Sequence, residues 1–232
     1  MIRSRQLCLI LAGFLALCLP PAAWAGAPTE QLKAHIDQVI KILEDPELKV
    51  DGKVKERRSA VRRVANGIFD FAETAKRSLA RHWQGRTDKE REEFVSLFAD
   101  LLERSYISKI ELYGGERIQY AAERIDADVA TVSTKIVTKQ GTEIPVDYRM
   151  LRRADRWLVY DFSVEGVSLI SNYRTQFNKI IQTSSYGELV KKMRTKQEEF
   201  LFEEDTKKMR TKQEEFLFEE DTKTKGSAKK QP

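Results

Sequence analysis

The clearest periodicity in the chain lies between residues 88 and 110, where Phe94, Leu97, Phe98, Leu101, Leu102, Tyr106 and Ile110 recur at steps of three and four. That spacing puts them on one face of a long helix. Thr87, followed three places later by Glu90, supplies a capping box at its start. Upstream, Leu32, Ile36, Val39, Ile40 and Leu43 make another stripe, predicting a first helix capped by Thr29 and ending near Pro46. Val54 to Phe69 reads as a basic helix, and Asp70 with Glu73 forms a second capping box opening a third helix that runs to about Trp83.

Beyond Gly114-Gly115 the period drops to two, predicting strands over 117–124, 127–138, 142–152 and 157–164, with turns at Gly141 and at Arg153 to Asp155. In the third strand Ile144, Val146, Tyr148 and Met150 alternate with Glu143, Pro145, Asp147 and Arg149, so one face is wet and the other buried. Pro145 has no N–H to give, which predicts an edge strand. In the fourth, Leu158, Tyr160, Phe162 and Val164 alternate with Val159, Asp161 and Ser163, predicting a single face of large apolar residues. The chain then turns at Gly166, and helical spacing returns in Leu169, Ile170, Tyr173 and Phe177, with Ser168 placed to cap the first turn. Helices, an antiparallel meander and helices again predict an α+β fold: a curved antiparallel sheet of about four strands packed by several helices around a hydrophobic cavity.

The two ends have a different character. Arg3 and Arg5, an apolar run from Leu7 to Leu19 and the small-x-small site Ala23-Trp24-Ala25 read as a secretory signal, so the mature chain is expected to begin near Gly26. The run is short for a membrane span, and Leu17 before Cys18 is a poor fit to a lipidation site. Both cysteines, Cys8 and Cys18, fall within this leader, leaving none for a disulfide or a thiolate metal site. At the other end, KKMRTKQEEFLFEEDT at Lys191 to Thr206 recurs unchanged at Lys207 to Thr222. A 16-residue shift advances a helix by about 160° beyond whole turns, so Phe200 and Phe216 would sit on nearly opposite faces. The second copy therefore does not extend one buried stripe and is expected to be a solvated helix or a disordered extension, with a coiled-coil partner arm as the alternative. The predicted organisation is a leader over 1–25, one domain over 26–190, and a charged tail over 191–232.

Charge and chemistry narrow the function. The net charge of +5 falls to +3 once Arg3 and Arg5 leave with the leader, too mild to argue for nucleic acid. The basic helix carrying Arg57, Arg58, Arg62 and Arg63 reads as a solvated face, with an acidic partner or lipid phosphate as the next option. His35 and His82 are the only histidines, and neither has a second ligand at metal spacing. Gly166-Val167-Ser168-Leu169-Ile170 lacks the closing glycine of a nucleophile elbow, and no phosphate-cradling glycine loop occurs. No catalytic residues, metal or cofactor are expected, so the protein is read as a non-enzyme.

Four segments, LARHWQGRT, EEFVSLFADLLERSYI, IPVDYRM and RWLVYDFSVEGVSLISNYRTQF, resemble the MlaC family, also called toluene-tolerance or Ttg2 proteins, over about Asp70 to Leu189. The last is the most specific. One departure is Ala80-Arg81, where many relatives have a glycine before the Trp, which bears on a helix end and not on the cavity. The resemblance implies a periplasmic carrier that holds the tails of a phospholipid inside the cavity and exchanges lipid between membranes. It further implies an inner-membrane ABC transporter with an MCE-domain ring and an outer-membrane lipoprotein-porin complex as partners, in support of outer-membrane lipid asymmetry. The expected lining is Phe98, Leu102, Tyr106, Ile107, Val132, Val146, Tyr148, Met150, Trp157, Phe162, Val164, Leu169, Tyr173 and Phe177. Relatives serving hopanoid or other cargo leave the ligand open, and a periplasmic adaptor with a solid core or a hydrolase using Asp or Glu pairs are the rival classes.

Overall fold

A computed structural model describes residues 27–196. The predicted leader with Cys8 and Cys18, and the tail from residue 197 with the second copy of the repeat, lie outside the described residues. Five helices come first: α1 (Ala27–Glu44), the single turn α2 (Pro46–Lys49), α3 (Val54–Ile68), α4 (Phe71–Leu79) and α5 (Asp88–Glu111). Strands β1 (Arg117–Asp126), β2 (Val129–Val137), β3 (Glu143–Arg153), β4 (Arg156–Val164) and β5 (Val167–Ser168) follow, then α6 (Leu169–Thr183) and a further helix over 186–196. The strands lie in the order β1-β2-β3-β4-β5 with every neighbouring pair antiparallel, a curved meander packed by helices as expected for α+β.

Local chemistry sets the boundaries. The Thr87 hydroxyl accepts from the Glu90 amide while the Glu90 carboxylate accepts from the Thr87 amide, so the capping box is complete and α5 starts where the sequence placed it. At α4 only half of the predicted box forms. Asp70 accepts from the Glu73 amide, but the Glu73 carboxylate turns to Arg77 and Arg153 instead. Helix α4 is also shorter than predicted, giving way at Ala80 to a 3-10 turn, with Ala80 at φ 49 and ψ −123. Thr29 is not a cap. It lies within α1 and donates its amide and hydroxyl to Glu123 of β1 at 2.8 and 2.5 Å, tying the first helix to the sheet edge.

Two predictions about the sheet need correction. Strand β4 carries a bulge: Arg149 faces Asp161 but Met150 faces Val159, leaving Tyr160 as the extra residue. A one-residue offset swaps faces. Trp157 and Val159 therefore share a face with Phe162, opposite Met150 and Tyr148, while Leu158 points the other way with Leu151. The single face of Leu158, Tyr160, Phe162 and Val164 does not exist as such. Pro145, secondly, is on a central strand. The β3–β4 pairing begins only at Val146, and the Pro145 carbonyl accepts from Glu165 in the β4–β5 turn. Nitrogen and carbonyl of a strand residue point to the same side, so the missing N–H faces that turn and costs the β2 ladder nothing. In the turn itself Glu165 and Gly166 have φ of 51° and 80°, the left-handed pair that a two-residue hairpin uses.

Among the described residues the buried apolar side chains form three clusters, not one. The first joins α4, α5, α6 and the last helix around Phe94, Phe98, Phe177 and Leu189, and includes Met193 from the first copy of the repeat. A second sets Leu32 of α1 and Ile68 of α3 against Val132, Met150, Trp157 and Val159 of the sheet. The third is small: Leu43, Val61 and Ile107.

Candidate functional site

A domain of this size ordinarily has one contiguous core with minor satellites. Here the buried apolar residues fall into two large clusters, and the seam where they meet is formed by aromatic rings that are only partly buried. Phe162 sits at its middle. Its ring lies edge-on to Tyr106 of α5 at 5.4 Å and to Phe69 at 6.4 Å, and its neighbour across the strands is Tyr148. Phe162 and Tyr106 pack against the first cluster, Phe69 and Tyr148 against the second. Phe69 in turn stacks on Phe71 at 5.6 Å. Adjacent residues of α5 face different clusters, Tyr106 packing against the first and Ile107 belonging to the third.

These elements are held in place by polar contacts at the rim. Asp161 is 2% exposed and accepts from the Ile170 amide at 3.0 Å, the Ser168 hydroxyl at 2.7 Å and Arg149 at 3.3 Å. It thereby pins the N-terminus of α6 to β4, while Ser168 caps the Ser171 amide as the sequence predicted. Glu111, at the far end of α5, receives both Arg57 and Arg58 of α3. Burial alone would raise its pKa, but the hydrogen bonds and charges of Arg58 and Arg57 outweigh this and hold it below the usual carboxylate range.

The tyrosines report the polarity of the seam. Burial pushes the Tyr148 phenol up to about 12, although the residue is not fully enclosed and keeps accessible surface. Burial also raises Tyr106, with Tyr173 nearby adding to it, and raises Tyr120, whose hydroxyl is buried with no hydrogen-bond partner. No cluster of three or more potential metal ligands is present among the described residues. Nor is any described helix long and apolar enough to cross a membrane.

The fourteen residues expected to line the cavity separate by position. Tyr106, Tyr148 and Phe162 meet at the seam, with Tyr173 beside Phe98 at 5.0 Å further along the first cluster. Phe98, Leu102, Leu169 and Phe177 lie within the first cluster, Val132, Met150 and Trp157 within the second, and Ile107 in the third. Val146 is 3% exposed and Val164, beside the hairpin turn, is 37% exposed. Phe69 and Phe71, absent from that expectation, also border the seam, and Ile36 and Tyr120 pack against the second cluster. Phe69 and Phe71 flank the α3–α4 junction, where Asp70 donates its amide to Val159, and a break between helices gives no periodic signal. Ile36 lies on the apolar stripe that predicts α1.

Residues 33–195 match the family model described as MlaC protein. The chain is 20% identical over 173 residues to the intermembrane phospholipid transport system binding protein MlaC of Haemophilus influenzae, covering 72% of this chain and 81% of that protein. A solved structure of a phospholipid-binding protein from Ralstonia solanacearum, in complex with a phospholipid, superposes with a TM-score of 0.66 at 24% identity, over 73% of this chain and 96% of that one. At that identity the likeness bears on the fold.

Proposed function

Since this chain belongs to the MlaC protein family, we propose that it is a periplasmic carrier that takes the acyl chains of a phospholipid into the seam between its sheet and helices. The observation that supports this most directly is the set of partly buried rings between the two large apolar clusters, with Phe162 edge-on to both Tyr106 and Phe69 and paired across the strands with Tyr148. Tyr106, Tyr148, Phe162 and Tyr173 touch the cargo in this reading. The fully buried Phe98, Leu102, Val132, Met150, Leu169 and Phe177 shape the walls behind them. The relatives' names carry the cargo class: one is a phospholipid transport binding protein and the other was found with a phospholipid.

The energetics favour exchange over tight capture. Removing a methylene from water is worth about 0.8 kcal/mol, so two sixteen-carbon tails would give roughly 25 kcal/mol, above the practical ceiling of non-covalent affinity. The lipid, however, leaves one bilayer and enters another. Only the difference between seam and bilayer counts, and it must stay within a few kcal/mol for both loading and release. A site of aromatic and aliphatic side chains with few head-group contacts meets that requirement. The same reading places the protein between an outer-membrane lipoprotein-porin complex and an inner-membrane ABC transporter with an MCE ring, in support of outer-membrane lipid asymmetry, with export by the leader over 1–25.

Native mass spectrometry of the protein purified from its secreted form tests the proposal. Co-purifying phospholipid is expected, and the Phe162→Glu and Tyr148→Glu variants are expected to lose at least tenfold of it, since a carboxylate against alkyl chains costs several kcal/mol. A wild-type protein that remains empty after incubation with phospholipid vesicles would overturn it in favour of an adaptor role.

A further inference from the structure

The face of the sheet that carries Tyr148 and Phe162 is not wholly apolar. Tyr120 of β1 stands opposite Thr134 of β2, Thr134 opposite Val146 of β3, and Tyr148, two places on from Val146, opposite Phe162 of β4. Directly paired residues share a face, and so do residues two apart, so three hydroxyls run in a row across β1, β2 and β3 as far as the ring of Phe162. Their protons can be traced. Thr134, 2% exposed, donates its single proton to the Val146 carbonyl at 3.0 Å, so it meets the Tyr148 hydroxyl, to which it is also hydrogen-bonded, as an acceptor. Those two hydroxyls satisfy each other. The Tyr120 oxygen is buried and has no hydrogen-bond partner among the described residues, although the side chain as a whole keeps some accessible surface. Asp37 of α1, whose charge reaches Tyr120, holds Lys33 at 2.5 Å instead. The strand register slips immediately after Tyr120, a bulge of the kind that re-aims a side chain.

A buried donor without an acceptor destabilises the fold unless something else meets it. We propose, resting on the carrier reading above, that the Tyr120 hydroxyl donates to an ester carbonyl oxygen of the bound lipid, so that the site recognises a glycerol diester and not its tails alone. In a bilayer those carbonyls lie in the wet interfacial layer. Drawn against Tyr148 and the buried Val132 they lose that water, and an ester, which has acceptors and no donor, needs a donor held in place to offset the loss. Phe162 has none to give. Thr134 and Tyr148 have spent theirs, which leaves Tyr120 as the one donor of the row. The row then has a direction: the glycerol end of the lipid lies towards β1, at the sheet edge, and the tails lie beyond Phe162 towards Tyr106.

Exchange with an excess of vesicles holding equal amounts of dioleoyl phosphatidylcholine and its diether analogue, di-O-oleyl phosphatidylcholine, tests it, with the bound lipids read by mass spectrometry. The two share head group and tails, and the diether lacks both carbonyl oxygens. One hydrogen bond of ordinary net strength shifts an equilibrium by about tenfold, so the protein purified from its secreted form is expected to favour the diester by about that factor. Tyr120→Phe deletes one oxygen and should lower the diester-to-diether ratio about tenfold, to near one. Tyr186→Phe, whose lost hydroxyl donates to the Glu90 carbonyl beside the first cluster, should leave the ratio where it was. Equal uptake of the two lipids by the unaltered protein, or a preference that survives Tyr120→Phe, would overturn the inference, leave carriage standing and assign the hydroxyl to a buried water. The ratio in the unaltered protein decides this even if a variant folds poorly. Uptake of neither lipid would instead overturn carriage, and this inference with it.

Discussion

Asp161 offers the sharpest test of how the seam is framed. Its replacement by Ala removes the acceptor for two donors, the Ile170 amide and the Ser168 hydroxyl, and releases Arg149. Ile170 is 3% exposed, so its amide has little access to water and its loss sits mid-range, about 2 kcal/mol. The Ser168 oxygen still accepts from the Ser171 amide, so the unmet hydroxyl proton adds about 1 kcal/mol. Arg149, 52% exposed, returns to solvent at almost no cost. The sum is about 3 kcal/mol, which in a domain of this size lowers the melting temperature by roughly 6–12 °C. Asp161→Asn keeps an oxygen for Ile170 and can donate to the Ser168 oxygen, so it should cost only about 1 kcal/mol. Thermal unfolding followed by circular dichroism decides it. If Asn is as damaging as Ala, the charge and not the acceptor geometry matters; if Ala costs less than about 2 °C, Asp161 does not pin α6 and the argument fails.

Ala80 occupies a left-handed backbone conformation at φ 49, where a side chain is strained, so Ala80→Gly should stabilise by about 1 kcal/mol net of added unfolded-state entropy, read as a rise in the urea midpoint. Thr87→Ala breaks the capping box of α5 and should cost about 1 kcal/mol in the same assay. Glu111 is depressed in the folded state, so its contribution is present at pH values above the ordinary glutamate range near 4.3 and is lost as the pH falls through its lowered folded pKa. Glu111→Gln should therefore lower stability at neutral pH and flatten the decline below pH 4; parallel acid-unfolding curves for the two proteins would refute the assignment.

Much of this architecture was legible because periodicity and caps are local. Thr87 with Glu90 and Ser168 with Ser171 are decided within one turn of helix, and the alternation in β3 survives intact in the structure. What escaped was non-local. The bulge at Tyr160 is invisible in a sequence whose residues keep alternating, since only pairing with β3 shows that Met150 faces Val159. Pro145 argued for an edge because the sequence does not say that β4 ends one rung earlier. Ile110 continued the stripe of α5 yet is 37% exposed, because the helix outruns what it packs against. The division of the core escaped for a deeper reason: periodicity says which side of an element faces inward and nothing about whether the inward side is full.

The elements around the two large apolar clusters are also joined by polar contacts between residues far apart in the sequence. Thr29 ties α1 to β1, Arg57 and Arg58 tie α3 to α5 through Glu111, Arg153 ties β3 to α4 through Asp70 and Glu73, and Asp161 ties β4 to α6. Exposed pairs of this kind add little stability one at a time. Their worth here is geometric, because each joins two different elements around the seam, and their partners are mostly carboxylates sunk to 13% exposure or less. Such ties fix how the elements stand around the rings of Tyr106, Phe162 and Phe69, which meet edge-on. In the carrier role proposed above, those rings are the ones expected to repack around a chain of methylenes.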